Sequence, residues 1–303
     1  MPQTLDQLLT QNRPILYDGA TGTFLRKLGL PRGAAPETWV LNNAAIVFSA
    51  AEAYVNAGSQ MILTCTFGGT EFRLREMGLH LQAYEINRRA AQLAKEAARG
   101  RALIVGDIGP LGYLALSLGM LSNADAVAQF TAQAHALAEG GVDLFHIETM
   151  SDVKEMQAAI QGVRQASTLP IFVTLSFDTQ GKTLTGLTPA HAAQELTRWH
   201  VDAIGANCGN GPWEMASILR EMRSVAPETA LIAKPNAGPP EYRANETAYP
   251  VDPARFALLA REWVRADAKI IGGCCGTTPE YIAAINAELG NIKPAAHRQV
   301  MIR

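Results

Sequence analysis

Cysteine is scarce in this sequence, with four among 303 residues, and two of the four are adjacent. A small secreted protein held together by disulfides carries far more cysteine, so this count argues against a disulfide framework. Long apolar runs are also missing, and no segment reaches the roughly 18 apolar residues that a membrane-spanning helix requires. Residues 1–6 contain neither a basic segment nor an apolar one. We therefore expect no signal peptide, no membrane association and a cytoplasmic location.

Charge of one sign is not in excess. The 26 Lys and Arg side chains nearly balance the 28 Asp and Glu side chains, which gives a formal net charge of -2. Such a balance provides no basic surface for nucleic acid or an anionic membrane, so we expect neither as a partner. Hydrophobic residues make up 48% of the chain. That composition and length are typical of a globular protein with one large domain or two small ones.

Short apolar segments alternate with helical stretches along the chain. Strands are predicted at residues 15–17, 61–63, 102–105, 144–147, 171–175, 202–204, 230–233 and 269–271. Helices are predicted at residues 44–58, 81–98, 124–140, 152–165, 189–199, 213–224, 253–266 and 279–289, with long loops at 33–43 and 237–250. Eight alternating units indicate a parallel sheet closed into a (β/α)8 barrel, or TIM barrel, as a single domain over residues 1–303. A doubly wound open sheet is the alternative, but no GxGxxG sequence opens a helix after a strand.

The two adjacent cysteines, Cys274 and Cys275, lie among three glycines directly after the last predicted strand. Neighbours within a strand point to opposite faces, but at a strand end glycines let the backbone turn, so both thiols can face one target. Cys208 also follows an apolar segment and precedes Gly209. Three thiolates from two strand ends would form a zinc site with an open fourth position. A vicinal disulfide, or buried thiols without metal, are the alternatives.

The active site of a (β/α)8 barrel lies at the C-terminal ends of its strands. Reading those ends in chain order gives Asp18, Thr64 with Cys65, Asp107, Glu148, Ser176, Cys208, Asn236, and Cys274 with Cys275. Almost every residue type suited to chemistry falls on this one rim. This convergence favours the zinc site over a disulfide.

Four segments resemble the homocysteine S-methyltransferase family. They are residues 18–23 (DGATGT), 205–208 (GANC), 234–238 (KPNAG) and 272–280 (GGCCGTTPE). The resemblance extends from about residue 16 to about residue 285 and implies a (β/α)8 barrel. It also implies that Cys208, Cys274 and Cys275 bind Zn²⁺ and serve as the catalytic centre of a homocysteine S-methyltransferase that makes methionine.

The chemistry of sulfur agrees with this implication. A free alkyl thiol is mostly protonated at neutral pH, whereas the thiolate is the nucleophile, and coordination to zinc removes the proton. An electron-rich thiolate can attack a methyl group on an ammonium, a sulfonium or a cobalt centre without a general base. The absence of a Ser-His-Asp or Cys-His pattern is therefore expected.

The methyl donor is less well indicated than the acceptor. Residues 66–70 (TFGGT), 106–110 (GDIGP) and 176–179 (SFDT) look closest to stand-alone bacterial betaine enzymes of the family. Residues 18–23 look equally like the homocysteine module of cobalamin-dependent methionine synthase. We predict betaine or S-methylmethionine as donor. The alternatives are exchange with a corrinoid protein, as a demethylase or part of a split methionine synthase, and a non-catalytic zinc-bound module.

We predict that homocysteine is bound by rim residues, namely Asp18, Gly19, Ala20, Thr64, Glu148 and Asn236. Glu148 would face the ammonium group of the substrate, although a carboxylate that caps the next helix is the alternative. Residues 18–20 would offer backbone groups, unless they form a plain turn. Asn236 is either a weak oxygen ligand of the metal or a residue that holds a loop.

Other rim residues are predicted to have structural roles. Asn207 would support the site, Asp107 would brace a loop, and Cys65 would be a packing thiol outside the metal site. His146 would be a satisfied core residue. An aromatic cage for a quaternary ammonium is one interpretation of four rings near the rim, and simple packing is the other. These rings are Trp39, Phe67, Tyr113 and Trp213.

Overall fold

Parallel strands at the centre of the molecule account for the alternating pattern of the sequence. The computed structural model describes residues 3–112, 114–178, 180–243 and 246–290. Its strands are β1 (Ile15–Leu16), β2 (Met61–Leu63), β3 (Leu103–Ile108), β4 (Leu144–Met150), β5 (Ile171–Leu175), β6 (Ala203–Cys208), β7 (Ala230–Pro235), β8 (Glu241–Arg243), β9 (Glu246–Ala248) and β10 (Ala268–Ile271). Strands β8 and β9 pair as an antiparallel hairpin. The other eight form one sheet in the order β1, β10, β7, β6, β5, β4, β3, β2.

The sheet closes on itself between its first and last strands. Tyr17, directly after β1, forms a parallel bridge with Met61 of β2. At the other side of β1, Ile15 pairs with Ile270 of β10. The eight strands therefore make a closed barrel, and the predicted (β/α)8 fold is confirmed. The open-sheet alternative is wrong because β1 has a neighbour on both sides.

Helices surround the barrel and follow the strands. Their bounds are α1 (Leu5–Thr10), α2 (Thr21–Lys27), α3 (Thr38–Asn42), α4 (Ala44–Asn56), α5 (Glu71–Arg75), α6 (Ala83–Ala98), α7 (Asn123–Gly140), α8 (Val153–Ala166), α9 (Pro189–Arg198), α10 (Met215–Val225), α11 (Pro253–Arg265) and α12 (Pro279–Leu289). In the part of the chain that the structure describes, no helix has the length and apolar character needed to cross a membrane.

Side-chain caps define where several of these helices begin. Ser122, Thr188 and Asp252 each accept a hydrogen bond from a backbone N–H in the first turn of α7, α9 and α11. Such a cap satisfies one of the donors that a helix N-terminus leaves free. Proline also stands in the first turn of α9, α11 and α12, where its missing N–H costs nothing. These local signals explain why the predicted helix bounds lie within two or three residues of the observed ones.

One end of the barrel is plugged by apolar side chains. Leu8 and Leu9 of α1 are buried and pack with Ile15, Met61 and other inward-facing strand residues. These contacts close the end at which the strands begin. The opposite end, where the strands finish, holds the long loops and carries the polar residues. The fold therefore places all predicted site residues at the same mouth.

Candidate active site

The three predicted cysteine ligands meet at the mouth of the barrel. Cys208 is the last residue of β6, and Cys274 and Cys275 come shortly after β10. The Sγ of Cys208 lies 2.7 Å from that of Cys274 and 4.0 Å from that of Cys275. The backbone of Cys208 has a φ of 56°, which is uncommon for a residue with a side chain and turns it out of the strand direction. Cys274 is held against β7 by a hydrogen bond from its N–H to the Pro235 carbonyl, at 2.8 Å.

The sulfur cluster fits a thiophilic metal ion. All three Sγ atoms lie within 4.8 Å of one another. Four-coordinate zinc has a Zn–S distance of about 2.3 Å, which places its sulfur ligands about 3.8 Å apart. The pair of Cys208 and Cys274 would have to separate by about 1 Å to reach that spacing. Hydrogen bonds from Cys208 and Cys274 lower the pKa of Cys275 well below its usual range, whereas the pKa values of Cys208 and Cys274 are raised. The cluster by itself therefore favours one thiolate beside two thiols.

Glycine is required next to this cluster. A Cβ atom on Gly273 would lie 2.4 Å from Oγ1 of Thr277. Gly276 has a φ of 86° and lies under the ring of Tyr249, which its Cβ would overlap. Because both positions exclude a side chain, the Gly-Gly-Cys-Cys-Gly sequence can make a turn this tight.

A cavity of about 560 Å³ lies over the sulfur cluster. Of the predicted residues, it is lined by Gly19, Ala20, Thr64, Glu148, Cys208, Cys274 and Cys275. It is also lined by Arg26, Glu37, Arg73, Asp107, Lys234 and Tyr249. Of this second group only Asp107 was considered from the sequence. The predicted residues Asp18 and Asn236 are not among the residues that line it.

Glu148 lines the cavity, and Nδ1 of His146 lies 3.8 Å from its Oε2, beyond hydrogen-bond distance. Glu148 is almost fully buried in β4, and its Oε2 accepts no hydrogen bond from any residue that the structure describes. Burial raises the pKa of Glu148 to about 8, although the nearby Lys234 opposes the shift. The alternative that Glu148 caps the next helix is wrong, because Asp152 accepts from Lys154 N at the start of α8. A ligand with an ammonium group would supply the missing donor.

Asp18 has both carboxylate oxygens engaged within the protein. Its Oδ2 accepts from Leu63 N at 2.7 Å, and its Oδ1 lies 3.1 Å from Nζ of Lys234. Both side chains are only 1% exposed. Nζ of Lys234 also sits 3.8 Å above the centre of the Tyr17 ring. Burial opposes the charge of Lys234, but Asp18 and Glu148 outweigh it and raise its pKa.

Asn207 and Asn236 hold the loops around Cys208. Oδ1 of Asn207 accepts from Thr149 N and Thr174 Oγ1, and its Nδ2 lies 3.7 Å from Sγ of Cys274. The predicted supporting role of Asn207 is therefore confirmed. Nδ2 of Asn236 donates to the Gly209 carbonyl at 2.8 Å, as a loop-holding residue would. Its Oδ1 has no partner among the described residues, which leaves a ligand role open.

The predicted bracing role of Asp107 is confirmed for its backbone. Its backbone N–H and carbonyl do brace Thr64 and Thr66, at 2.9 Å and 2.7 Å. Its carboxylate, however, lines the cavity, and within the described residues Oδ1 has no hydrogen-bond partner. The sequence did not predict the place of the carboxylate, because the backbone of Asp107 braces a loop while its side chain lies at the cavity.

The remaining predictions divide between core and rim. His146 is fully buried between the Tyr17 hydroxyl and Oγ1 of Thr174, so its core role is confirmed. Cys65 is a buried thiol outside the three-sulfur group, also as predicted.

The proposed aromatic cage is only partly supported by position. Phe67 lines the cavity, whereas Trp39 and Trp213 do not. Tyr249, which follows the β8–β9 hairpin, contributes the other aromatic ring. Tyr113, and Thr179 of the 176–179 segment, lie outside the described residues.

Comparison with known proteins adds independent information. A family model described as homocysteine S-methyltransferase matches residues 15–289. Methionine synthase of Mycobacterium tuberculosis (strain ATCC 25618 / H37Rv) is 29% identical over 299 residues, covering 93% of this chain and 25% of that protein. The Mycobacterium leprae (strain TN) protein of the same name is 29% identical over 293 residues, covering 91% and 24%. This chain therefore spans about a quarter of these curated relatives.

A solved structure supports the fold. The metallated form of the homocysteine methyltransferase MmuM from Escherichia coli superposes with a TM-score of 0.78 at 23% identity. The match covers 92% of this chain and 96% of that one. At this level of identity the likeness establishes a shared barrel architecture.

Proposed function

We propose that this chain, which belongs to the homocysteine S-methyltransferase family, transfers a methyl group to the sulfur of homocysteine and so forms methionine. The observation that carries the proposal is the convergence of Cys208, Cys274 and Cys275 on one wall of a cavity. That cavity has room for an amino acid and a small second substrate, because sites for small molecules span roughly 300 to 1,000 Å³. No general base is needed if the attacking sulfur arrives as a thiolate.

The three cysteines would hold a zinc ion. A set of three thiolates with an open fourth position is the donor set of a catalytic zinc site. When bound, zinc would supply the Lewis acidity that keeps the homocysteine sulfur deprotonated at neutral pH. Asn207 would orient Cys274 through its amide, 3.7 Å from the sulfur.

The other predicted residues would position homocysteine. Glu148 lacks a hydrogen-bond donor within the described protein and would accept one from the substrate ammonium. Gly19 and Ala20 would let the substrate approach the backbone, while Thr64 lies on the same wall. Asp18 would hold the cavity wall in place through its contacts to Leu63 and Lys234.

The donor would be a small cationic molecule such as betaine or S-methylmethionine. Buried carboxyl groups and thiols on the cavity wall favour a cation. The second candidate is methyl exchange with a corrinoid protein. It is favoured by the match to mycobacterial methionine synthases, of which this chain covers only a quarter.

Metal analysis combined with a methylation assay tests the function. We expect about one zinc ion per chain and methionine formation from homocysteine with betaine or S-methylmethionine. Cys275→Ala should lose metal and activity together, because it removes one of three ligands. Cys65→Ser is the matched control for metal content, since its thiol lies outside the cluster.

The outcomes of these assays separate the candidates. Full activity in a zinc-free Cys275→Ala protein would contradict the metal-based proposal. Turnover with methylcobalamin or a methylated corrinoid protein, and with no small donor, would favour the second candidate. Zinc without methylation of homocysteine by any donor would leave a structural metal module.

A further inference from the structure

Two arginines line the same cavity as the cysteines but lie on helices outside the ring of strands. Arg26 is in the last turn of α2, and Arg73 is in α5. The acidic and sulfur groups come instead from the strand ends, with Glu148 on β4 and Asp107 on β3. Arg26 is exposed and Arg73 half-buried, whereas Glu148 and Asp107 are buried. The inner wall thus carries two carboxyl groups beside the buried cation Lys234, and the outer wall carries the two arginines beside Glu37 and the exposed Glu76.

Arg73 has hydrogen-bonding capacity that the protein does not use. Its Nη1 lies 3.5 Å from Oε2 of Glu76, a long ion pair in which the Glu76 side chain is 67% exposed. Its Nε is buried and, within the described residues, donates to nothing. An exposed pair of this kind contributes little, so it competes weakly with a ligand. A guanidinium with free donors is the group best suited to a carboxylate, because two parallel hydrogen bonds can form.

We infer that Arg73, assisted by Arg26, is a specificity-determining residue that selects methyl donors carrying a carboxylate. This inference rests on the proposed function and concerns the donor at that same site. A zwitterionic donor would place its cationic, methyl-bearing end toward the cysteines and its carboxylate toward the arginines. These two contacts would orient the methyl group toward the sulfur before reaction, which is how positioning lowers a barrier. A donor that carries a cation but no carboxylate would lack the contact to the arginines.

Two pairs of donors test the role of the carboxylate. The first is betaine against tetramethylammonium, and the second is dimethylsulfoniopropionate against trimethylsulfonium. Within each pair the methyl-bearing centre is alike and the carboxylate is present or absent. We expect Arg73→Gln to raise KM for the carboxylated donors by roughly 10- to 100-fold, since hydrogen bonds to charged groups are each worth about 1.5 to 3 kcal/mol. KM for homocysteine and for the donors without a carboxylate should stay within about twofold, because neither uses Arg73.

Arg75→Gln is the matched control. Arg75 lies on the same short helix, is 61% exposed and pairs with Glu71, and it does not line the cavity. The Arg75→Gln variant should leave the KM values for homocysteine and for all four donors near their wild-type values. Arg26→Gln should show the selectivity of Arg73→Gln at smaller amplitude, because Arg26 is more exposed.

Binding measurements separate this inference from the proposed function. Calorimetric titration of betaine into wild-type and Arg73→Gln protein needs no turnover, so it reports on donor recognition even if no methionine forms. Weaker betaine binding in the variant alone supports the inference. Equal binding, no betaine binding at all, or a rise in KM confined to homocysteine would overturn it. In the last case methyl transfer to homocysteine would stand, with Arg73 assigned to the acceptor.

Discussion

The buried ion pair between Lys234 and Asp18 is a residue-scale feature that stabilises the mouth of the barrel. Lys234 lies near the end of β7, and Asp18 follows β1, so the pair links two strands that are both neighbours of β10. Each side chain is 1% exposed. Breaking such a pair by removing one partner leaves an uncompensated buried charge, which costs far more than the pair contributes when intact.

We expect Lys234→Met to lower the free energy of unfolding by about 3 to 5 kcal/mol. The double variant Asp18→Asn with Lys234→Met should be more stable than Lys234→Met alone, because an amide in place of the Asp18 carboxylate buries no charge. Urea unfolding of the single and double variants measures both effects. Exposed Lys154→Met serves as control and should change stability little. Equal losses for Lys234→Met and the double variant would show that the charge of Asp18 is not the cause.

The cysteines could be predicted as site residues from their identity, whereas Lys234, Arg73 and Tyr249 could not. Thiols are rare and their chemistry is narrow, so three cysteines at strand ends predicted a shared cluster, with a metal site or a disulfide as the two interpretations. Lysine, arginine and tyrosine are common surface residues. Their roles depend on which groups tertiary packing brings within a few ångströms of them. Lys234 did carry one signal, its position at a predicted strand end.

Among the helices and strands, the length of each element determined whether it could be predicted from the sequence. The helices of ten or more residues were all predicted, because their periodicity extends over several turns. Helices α1, α2, α3 and α5 have five to seven residues and were missed. The β8–β9 hairpin was also missed within the predicted 237–250 loop. These short elements carry Arg26 and Arg73 and precede Tyr249, so the outer wall of the cavity was missed with them.

Glu155 connects two elements and makes their contact sensitive to pH. It lies in the first turn of α8, is 2% exposed, and accepts from Leu111 N in the loop after β3, at 2.6 Å. Burial raises its pKa from about 4.5 to about 7, against the opposing effect of that hydrogen bond. The folded state therefore holds its proton more tightly than the unfolded state. Its contribution to stability is complete below about pH 4.5 and is lost as pH rises through about 7.

Glu155→Gln should make stability less dependent on pH. A shift of this size corresponds to about 3 kcal/mol between pH 4 and 8, and glutamine keeps the acceptor but cannot ionise. Unfolding free energies across that range, for wild type and variant, measure the difference, and other titrating groups cancel. Glu262→Gln, at a side chain that is about half exposed, is the control. Parallel profiles for wild type and Glu155→Gln would show that Glu155 ionises normally in the folded protein.

At the scale of the whole molecule, the ring of strands predicts one structural unit. Every barrel strand has a neighbour on both sides, so no position divides the sheet without exposing two edges. We expect limited proteolysis under native conditions to leave one resistant fragment that contains all eight barrel strands. Mass spectrometry of the fragments checks this. Two stable fragments that meet between β5 and β6 would contradict the prediction of a single domain.

The barrel also contains a reporter at each of its ends. Lys234 is buried at the mouth, and Lys269, near the start of β10, is buried at the plugged end, where its Nζ donates to the carbonyls of Gln11 and Arg13. Both lysines are almost fully buried, so opening of either end of the barrel should speed acylation of the lysine at that end. The labelling rate of each lysine therefore reports how readily its own end of the barrel opens. The ratio of the two rates would show whether unfolding begins at the mouth of the barrel, which carries the cysteines, or at the plugged end.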